Sequence, residues 1–210
     1  MDEKVDVLDA SGNKTGRVAW KREAHQLGLW HRCFHCWIAA APETPSGGPY
    51  LFVQQRAPGK DTWPNNLDVT VGGHLGAGES TLDGLREVEE ELGLTVTAKE
   101  LIPPEARKVE KEIPAGLDRE FQEVFLLVRS LSPEDLRLQE EEVAAVLRLR
   151  LDDVEALYEG AGITAEEWAG ETSLVSVRLT DFIPDEDNYL LQASRAARAI
   201  LAGKHFDAFF

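Results

Sequence analysis

The chain has 210 residues, of which 43% are hydrophobic and 29% charged; this is ordinary globular composition and excludes collagen-like, disordered and low-complexity proteins. A chain of this length buries a core without disulfide or metal staples. Its formal net charge of −16 at pH 7 repels nucleic-acid backbones and anionic membrane surfaces, so we expect neither partner, and an anionic small molecule would need cations as intermediaries.

The N-terminus and the cysteine content predict a cytoplasmic protein. The first residues, MDEKVDVLDASG, are acidic, whereas a secretory signal is basic and then apolar. No apolar run reaches the roughly 20 residues of a membrane span. Cys33 and Cys36 are too few for a disulfide framework, which agrees with a reducing compartment.

Strand-like runs dominate the first third of the chain. Residues 5–8 and 16–20 flank a turn-rich stretch at 10–13 and predict an N-terminal hairpin. The aromatic-rich run 30–40 and the run 50–55 predict a second hairpin, close to the core.

A strand, a glycine-rich turn and a helix are predicted next, at 67–71, 72–78 and 81–92, with the helix ending at Gly93. Further strands are predicted at 95–97, 106–112 and 121–128, and further helices at 151–160, from 164, and at 188–202. We expect a single domain over 1–210, with a core at about 30–160, an N-terminal hairpin in 1–24 and a C-terminal helical extension over about 164–210.

The predicted helix carries an ordered set of carboxylates. Glu87, Glu90 and Glu91 stand at i, i+3 and i+4, so they share one face, and apolar residues form the opposing face. Like charges in one stripe repel unless a cation joins them, and oxygen ligands suit Mg²⁺ or Mn²⁺. A glutamate-rich helix in an acidic protein can equally be a solvated face.

The stretch from Gly73 to Leu94 resembles the Nudix box, GX5EX7REUXEEXGU, in which U is an aliphatic residue. The fixed residue types are matched by Gly73, Glu79, Arg86, Glu87, Val88, Glu90, Glu91, Gly93 and Leu94. Only six residues separate Glu79 from Arg86, where the pattern has seven. The resemblance implies an α/β fold of the Nudix type, an α/β/α sandwich with a mixed sheet, here with an N-terminal hairpin and a C-terminal helix.

The resemblance also implies roles for the residues of the box. Arg86 would orient the glutamates through a salt bridge, and Glu87, Glu90 and Glu91 would bind Mg²⁺ or Mn²⁺, with Glu79 as a further ligand whose position the shortened spacing affects. The reaction would be hydrolysis of a nucleoside diphosphate linked to another moiety, or of a related small molecule. Glu90, Glu91 and Arg86 are therefore predicted to be catalytic.

A second resemblance, to isopentenyl-diphosphate isomerase, covers RVAWKREAHQLGLWHRCFHCW, LFVQQRAPGKDTWPNNLDVTVGGHLGAGES and REFQEVFLLV. That enzyme uses a cysteine just before a Gly-His pair. Here the pair is Gly73 and His74, and Gly72 takes the place of the thiol. The hydrolase is therefore favoured; an isomerase-like enzyme and a non-catalytic Nudix ligand-binding protein are the alternatives.

The isomerase also holds a metal with histidines and two later glutamates. His31 and His74 match these histidines, and His25 is one residue out of step. Glu123 matches one glutamate, and Phe121 takes the place of the other. A Nudix hydrolase also needs a base to activate water; Glu120, Glu123 and the run of glutamates at 140–142 remain open for that role.

Substrate binding is predicted in the segment QRAPGK, where Arg56 and Lys60 fall where the isomerase holds its diphosphate. A guanidinium and an ammonium together neutralise phosphate oxygens, although an exposed loop pair is the alternative. Gly73 and His74 complete the predicted substrate-binding set. A homodimer is left open.

The CFHC segment does not favour a zinc site. In a strand, His31, Cys33, His35 and Trp37 face one side, while Cys36 faces the other. The two sulfurs would then point apart, and one CxxC without a second pair is weak support for zinc.

Overall fold

The computed structural model describes residues 3–44 and 48–204, through which one 11-stranded mixed sheet runs. Its strands are β1 (Lys4–Leu8), β2 (Lys14–Trp20), β3 (Trp30–Ala40), β4 (Tyr50–Arg56), β5 (Leu67–Asp68), β6 (Val71–His74), β7 (Leu101–Ile113), β8 (Gly116–Val128), β9 (Val143–Arg150), β10 (Ile163–Ala169) and β11 (Glu171–Val177). The α-helices are α1 (Lys21–Leu27), α2 (Leu85–Leu92), α3 (Leu151–Tyr158) and α4 (Tyr189–Leu201).

Strand β3 is the centre of the sheet. The main strand order is β11-β10-β9-β4-β3-β1-β2, and β3 also pairs with β6 in antiparallel and with β8 in parallel orientation. Strands β7 and β8 form a long antiparallel hairpin. The parallel pairing of β3 with β8 sets His31 opposite Glu120 and Cys33 opposite Gln122, which brings polar residues distant in sequence to one end of the sheet.

Each face of the sheet carries its own hydrophobic core. On one face, Trp37 and Ala39 of β3 pack with residues of α3 and α4. On the other face, Phe34, Cys36 and Ile38 pack with Val88 and Leu92 of α2. The period of two along β3 produces this division. Helices cover both faces, so the predicted α/β/α sandwich of mixed sheet and C-terminal helix is confirmed.

Several predicted elements are confirmed with small changes in their bounds. These are the hairpin β1–β2, the second hairpin β3–β4, strands β7 and β8, and helices α2, α3 and α4. The strand predicted at 67–71 is instead two short strands, β5 and β6, and β6 includes the first residues of the predicted glycine-rich turn. The helix predicted at 81–92 begins with a 3₁₀-helix at 81–84. The predicted separation of Cys33 from Cys36 is also confirmed, since Cys36 belongs to the core beside α2.

Two predicted elements are wrong, and one helix and the strands β9 and β11 were missed. Residues 95–97 form no strand, because Thr97 N donates to Glu100 Oε2 (2.8 Å) in a turn. The helix predicted from Thr164 is strand β10, because pairing with β9 and β11 overrides the helix-like TAEEW segment. The missed helix is α1, which ends at Gly28 with φ of 60°.

The expected C-terminal helical extension is therefore a hairpin, a connecting segment and α4. The expected N-terminal hairpin region 1–24 includes the start of α1. Residues 1–2 and 205–210, which fall within these predictions, lie outside the described residues. Within the described residues, no helix is both long and apolar enough to cross a membrane.

Candidate active site

The segment between Glu79 and Arg86, where the Nudix box is one residue short, contains a 3₁₀-helix. Residues Thr81–Gly84 form a 3₁₀-helix that leads directly into α2. A 3₁₀-helix rises about 2.0 Å per residue and an α-helix about 1.5 Å, so four 3₁₀ residues span roughly the length of five α residues. At the start of this turn, Ser80 N and Oγ both donate to Asp83 Oδ2 at 2.8 Å. The 3₁₀ turn thus covers, with one residue fewer, about the length that an α-helical turn would cover before α2.

Arg86 connects the loop glutamate to the helix glutamates. Its Nε donates to Glu79 Oε1 (3.0 Å) and its Nη2 to Glu79 Oε2 (3.2 Å) and to the His74 carbonyl (3.0 Å). Its Nη1 lies 2.7 Å from Glu87 Oε1 and 3.1 Å from Glu90 Oε2. Hydrogen bonds from Arg86 and from Gly76 N (2.6 Å) hold the pKa of Glu79 below its ordinary value, against a smaller effect of burial. Both oxygens of Glu79 already have donors.

Glu87 and Glu91 are buried carboxyls, 8% and 3% exposed. Burial raises the pKa of Glu87 to about 7. Burial, with the charge of Glu87, raises the pKa of Glu91 to about 8. Gln54 Nε2 donates to Glu91 Oε2 at 3.2 Å, and Gly72 N approaches the same oxygen at 3.4 Å. A cation beside these two side chains would offset the unfavourable burial of their charges. Glu90 is exposed.

These carboxyls open into a cleft of about 960 Å³. Cationic side chains from several elements share this cleft, although the whole chain is acidic: Lys21, Arg22, Arg56, Lys60, Arg86, Arg107 and Lys111. Residues of the C-terminal segment, including Phe182 and Tyr189, form another part of its wall. A cleft with both buried carboxylates and cations suits a polyanionic ligand accompanied by a metal.

Arg56 and Lys60, the predicted substrate-binding pair, both line this cleft. The Arg56 guanidinium donates to the Thr62 carbonyl (3.0 and 3.2 Å) and to Asp68 Oδ2 (3.0 Å). Lys60 forms an ion pair with Glu142. Gly73 and His74 lie in β6 and also line the cleft.

A second polar cluster occupies the same cleft and consists of His25, His31, His74, Asp118 and Glu120, which we call the histidine–carboxylate cluster. The imidazole centroids are 5.1 to 5.7 Å apart. Asp118 Oδ1 lies 3.4 Å from His25 Nε2 and 3.5 Å from His31 Nε2, and Glu120 Oε1 lies 3.6 Å from His74 Nε2. His25 thus lies beside the two other histidines despite its offset in the sequence comparison.

The donor atoms of this cluster suit a divalent metal. His31 Nδ1 donates to the Leu29 carbonyl (3.0 Å), so Nε2 is the ring nitrogen directed at Asp118. Within the described residues, His31 Nε2, His74 Nε2 and Asp118 Oδ1 are buried without a hydrogen bond. Burial, with the neighbouring His31, lowers the pKa of His74, so its imidazole is neutral. Histidines and carboxylates grouped in this way are typical ligands of Zn²⁺, Mn²⁺ and related ions.

The carboxylates of this cluster were not identified from the sequence. The resemblance pointed to Phe121 and Glu123, but the strand places Asp118 and Glu120 in the cleft. Glu123 is near Arg32 (3.6 Å), is one residue out of phase with Glu120 and Gln122, and is not among the described residues that line the cleft. The register that pairs His31 with Glu120 across β3 and β8 is what brings Glu120 to the histidines.

A thiol also lies in the cleft. Cys33 Sγ donates to Glu120 Oε1 at 3.1 Å. Burial, followed by the charge of Glu120, raises the pKa of this thiol well above its ordinary value. The position before Gly73 is glycine, as the sequence shows, but β3 provides a sulfur beside the cluster.

Of the open candidates for a general base, Glu142 is one whose charge acts on a carboxylate of α2. Its charge contributes to the raised pKa of Glu91, after burial and the charge of Glu87. Glu141 and Glu142 line the cleft, whereas Glu120 belongs to the histidine–carboxylate cluster.

The comparisons with known proteins agree with this geometry. The family model of the NUDIX domain matches residues 35–169. An uncharacterized Nudix hydrolase of Clostridium acetobutylicum is 32% identical over 203 residues, which cover 93% of this chain and 97% of that protein. An isopentenyl-diphosphate Delta-isomerase of Kocuria rhizophila is 30% identical over 171 residues, 80% of this chain and 89% of that protein.

Among solved structures, that of DR0079 from Deinococcus radiodurans has a TM-score of 0.54 at 18% identity and covers 93% of this chain and 99% of its own. This likeness shows the fold. Because the NUDIX family model matches well over half of the chain and the Clostridium relative spans nearly all of it, the chain belongs to the Nudix family.

Proposed function

We propose that this chain, working as a single cytoplasmic domain, is a Mg²⁺- or Mn²⁺-dependent pyrophosphohydrolase. Its substrate is a nucleoside diphosphate derivative or a related small molecule with a diphosphate linkage. The observation that supports this most strongly is the pair Glu87 and Glu91, two buried carboxyls with raised pKa values at one end of a cation-lined cleft. Such a pair requires a cation when it is ionised.

Glu87, Glu90 and Glu91 would hold the metal, as the family resemblance implies. Arg86 keeps Glu87 and Glu90 in place, and Glu79 in turn holds Arg86. Since both oxygens of Glu79 already have donors, we assign Glu79 to positioning Arg86 rather than to the metal. The metal, when bound, would lower the pKa of a coordinated water and neutralise phosphate oxygens.

Lys60 and Arg56 would bind the substrate's diphosphate. A phosphate at Lys60 competes with Glu142 for the ammonium group, because the two are ion-paired in the present structure. Release of Glu142 would then leave a carboxylate near Glu91 that can accept a proton from the attacking water. The water oxygen bonds to phosphorus, the bridging P–O bond breaks, and its electron pair leaves with the departing phosphate.

The histidine–carboxylate cluster would hold a second divalent metal in the same cleft. The buried nitrogens of His31 and His74 and the buried oxygen of Asp118, which have no hydrogen bond within the described residues, support this assignment. Glu123, which the sequence comparison selected, is replaced in this proposal by Asp118 and Glu120.

A panel of nucleoside diphosphate derivatives and prenyl diphosphates, assayed in ¹⁸O-labelled water with Mg²⁺ or Mn²⁺, tests the reaction. We expect turnover with the label on a phosphate product. Label found only on a carbon-bearing alcohol would overturn attack at phosphorus. Absence of turnover with intact metal binding would favour a non-catalytic ligand-binding protein.

Isomerase chemistry is the second candidate, and one observation favours it. Cys33 places a thiol 3.1 Å from Glu120, so the cleft contains a thiol and a carboxylate despite the glycine at position 72. Conversion of isopentenyl diphosphate with its diphosphate intact, in the same panel, would establish this alternative and exclude the hydrolytic proposal.

A further inference from the structure

A continuous series of hydrogen bonds runs from the start of α4 to the histidine–carboxylate cluster. Asp187 accepts from Arg107 Nε (2.6 Å) and Nη2 (2.5 Å). Arg107 Nη1 donates to Gln122 Oε1 at 2.7 Å, and Gln122 Nε2 donates to Glu120 Oε2 at 2.5 Å. Arg107 and Gln122 face each other across β7 and β8 and are only 5% and 4% exposed.

The donor and the acceptor of each hydrogen bond in this series are fixed by the chemistry of the side chains. A guanidinium has donors and no acceptor, so the Gln122 side chain must turn its oxygen toward Arg107. Its amide NH₂ is then directed at Glu120 and can donate to Oε2. The other carboxylate oxygen, Oε1, accepts a hydrogen bond from Cys33 Sγ at 3.1 Å and lies 3.6 Å from His74 Nε2. The hydrogen bonds from Arg107 through Gln122 thus reach the Glu120 carboxylate on the side away from His74.

The C-terminal segment holds Arg107 in this orientation. Besides the two contacts from Asp187, the Arg107 guanidinium lies over the Tyr189 ring, with Cζ 4.0 Å from the ring centroid. Tyr189 is the first residue of α4, and its hydroxyl lies 3.0 Å from His35 Nδ1 on β3. A buried guanidinium enclosed by a carboxylate, an aromatic ring and an amide has little freedom to reorient.

We propose that Arg107 is a positioning residue for Glu120, acting through Gln122, and that Asp187 and Tyr189 anchor it. Metal affinity at the histidine–carboxylate cluster then depends on the contacts that Asp187 and Tyr189 of the C-terminal segment make with Arg107. This inference rests on the proposed second metal site. Hydrogen-bonded partners of metal ligands set ligand orientation, and their loss costs about 10- to 100-fold in affinity.

Co²⁺ titration of the full chain tests the proposal, with the visible d–d absorption as the readout of ligand geometry. The titrations use a Glu87→Gln/Glu91→Gln background, so that the helix carboxylates contribute less. Arg107→Met and Gln122→Met should each weaken Co²⁺ binding about tenfold or more and alter the spectrum. Asp187→Asn, which preserves shape, should weaken binding in the same direction by a smaller factor.

Arg148→Met is the matched control. Arg148 is also a largely buried arginine, lies 2.9 Å from a carboxylate oxygen of Glu166, and stacks over Tyr50 at 4.4 Å. It does not line the cleft, within the described residues. Its loss should leave Co²⁺ affinity and spectrum unchanged, even where thermal stability falls as much as in Arg107→Met.

Different results would contradict the second metal site and the positioning role of Arg107. If His74→Ala leaves the Co²⁺ spectrum unchanged, the second metal site itself is wrong. If His74→Ala abolishes the spectrum while Arg107→Met and Gln122→Met, folded by circular dichroism, retain the parent affinity and absorption, the site stands and the positioning role is overturned.

Discussion

A Cβ atom on Gly73 would lie 2.2 Å from Cδ of Glu87, so the carboxyl of Glu87 occupies the space that a side chain on β6 would need. Gly73 is the first residue of the Nudix box, and Glu87 lies on the helix at its other end. Because Gly73 has no side chain, the Glu87 carboxylate of α2 can lie against β6 and extend into the cleft.

Gly73→Ala should therefore displace Glu87 and reduce both Mg²⁺ affinity and turnover. A Cβ closer than 3.0 Å to another atom forces one of them to move, and a displacement of about 1 Å at a metal ligand can cost on the order of 10²-fold in rate. Turnover and Mg²⁺ titration measure the effect. Gly162→Ala is the control, since a Cβ there would be 3.8 Å from its nearest neighbour and Gly162 is not among the described residues that line the cleft. Equal activity of the two variants would contradict the argument.

Replacing the carboxylates themselves should have a large effect. Glu87→Gln and Glu91→Gln each remove a ligand charge without a change in volume, so turnover should fall on the order of 10²-fold or more with the fold intact. Glu89→Gln on the same helix is the control, because Glu89 is exposed. Wild-type rates for both cleft variants at low Mg²⁺ would mean that the metal assignment is wrong.

The metal-free protein should lose stability as the pH rises. The folded-state pKa values of Glu87 and Glu91 are about 7 and about 8, above the ordinary 4.5, because burial penalises the charged forms. Their contribution to the free energy of unfolding is fully present below pH 4.5 and is lost as the pH rises through 7 to 8. In EDTA, the melting temperature should fall by several degrees between about pH 5 and about pH 8.5.

Two further measurements check this pH dependence. Added Mg²⁺ should raise the melting temperature more at the higher pH, because the carboxyls bind it after losing their protons. The Glu87→Gln/Glu91→Gln variant should show a smaller decrease with pH. It should not abolish the decrease, because burial also raises the pKa of Asp118, to about 8. An unchanged slope in the double variant would contradict the assignment.

Gly84→Ala should destabilise the protein by about 1–3 kcal/mol through overpacking. A Cβ at Gly84 would lie 2.5 Å from Cβ of Phe34, because the 3₁₀ turn of the shortened box lies directly against β3. Urea unfolding measures the change. Gly162→Ala, whose Cβ would be 3.8 Å from its nearest neighbour, should change stability little. A similar loss in both variants would mean that the turn does not require the close contact.

The Nudix helix could be predicted because its information is local. The spacing of Glu87, Glu90 and Glu91 puts them on one helical face whatever surrounds them, and Gly93 ends the helix in the left-handed conformation with φ of 72°. The alternation of His31, Cys33 and His35 along β3 is local in the same way. These features can be predicted from a short stretch of sequence, whatever the pairing of distant strands.

The histidine–carboxylate cluster could not be assembled in this way, since it depends on pairing between distant strands. Glu120 faces His31 because β8 runs parallel to β3 in one register, and a shift of three residues would place Glu123 there instead. The strand β10 was missed for a related reason. Its TAEEW segment resembles a helix start, but Glu166 pairs with Arg148 across β9 and β10.

Cys33→Ala distinguishes the two reaction types. The raised pKa of the thiol, caused first by burial and then by Glu120, keeps it protonated near neutral pH. Hydrolysis at phosphorus uses no thiol, and Glu120 retains its hydrogen bond from Gln122, so we expect the hydrolytic rate to remain within about threefold of wild type. Cys36→Ala is the matched control, since it removes an equally buried sulfur from the opposite face of β3. If Cys33→Ala abolishes turnover while Cys36→Ala does not, the thiol takes part in the chemistry and the isomerase-like alternative gains the decisive support.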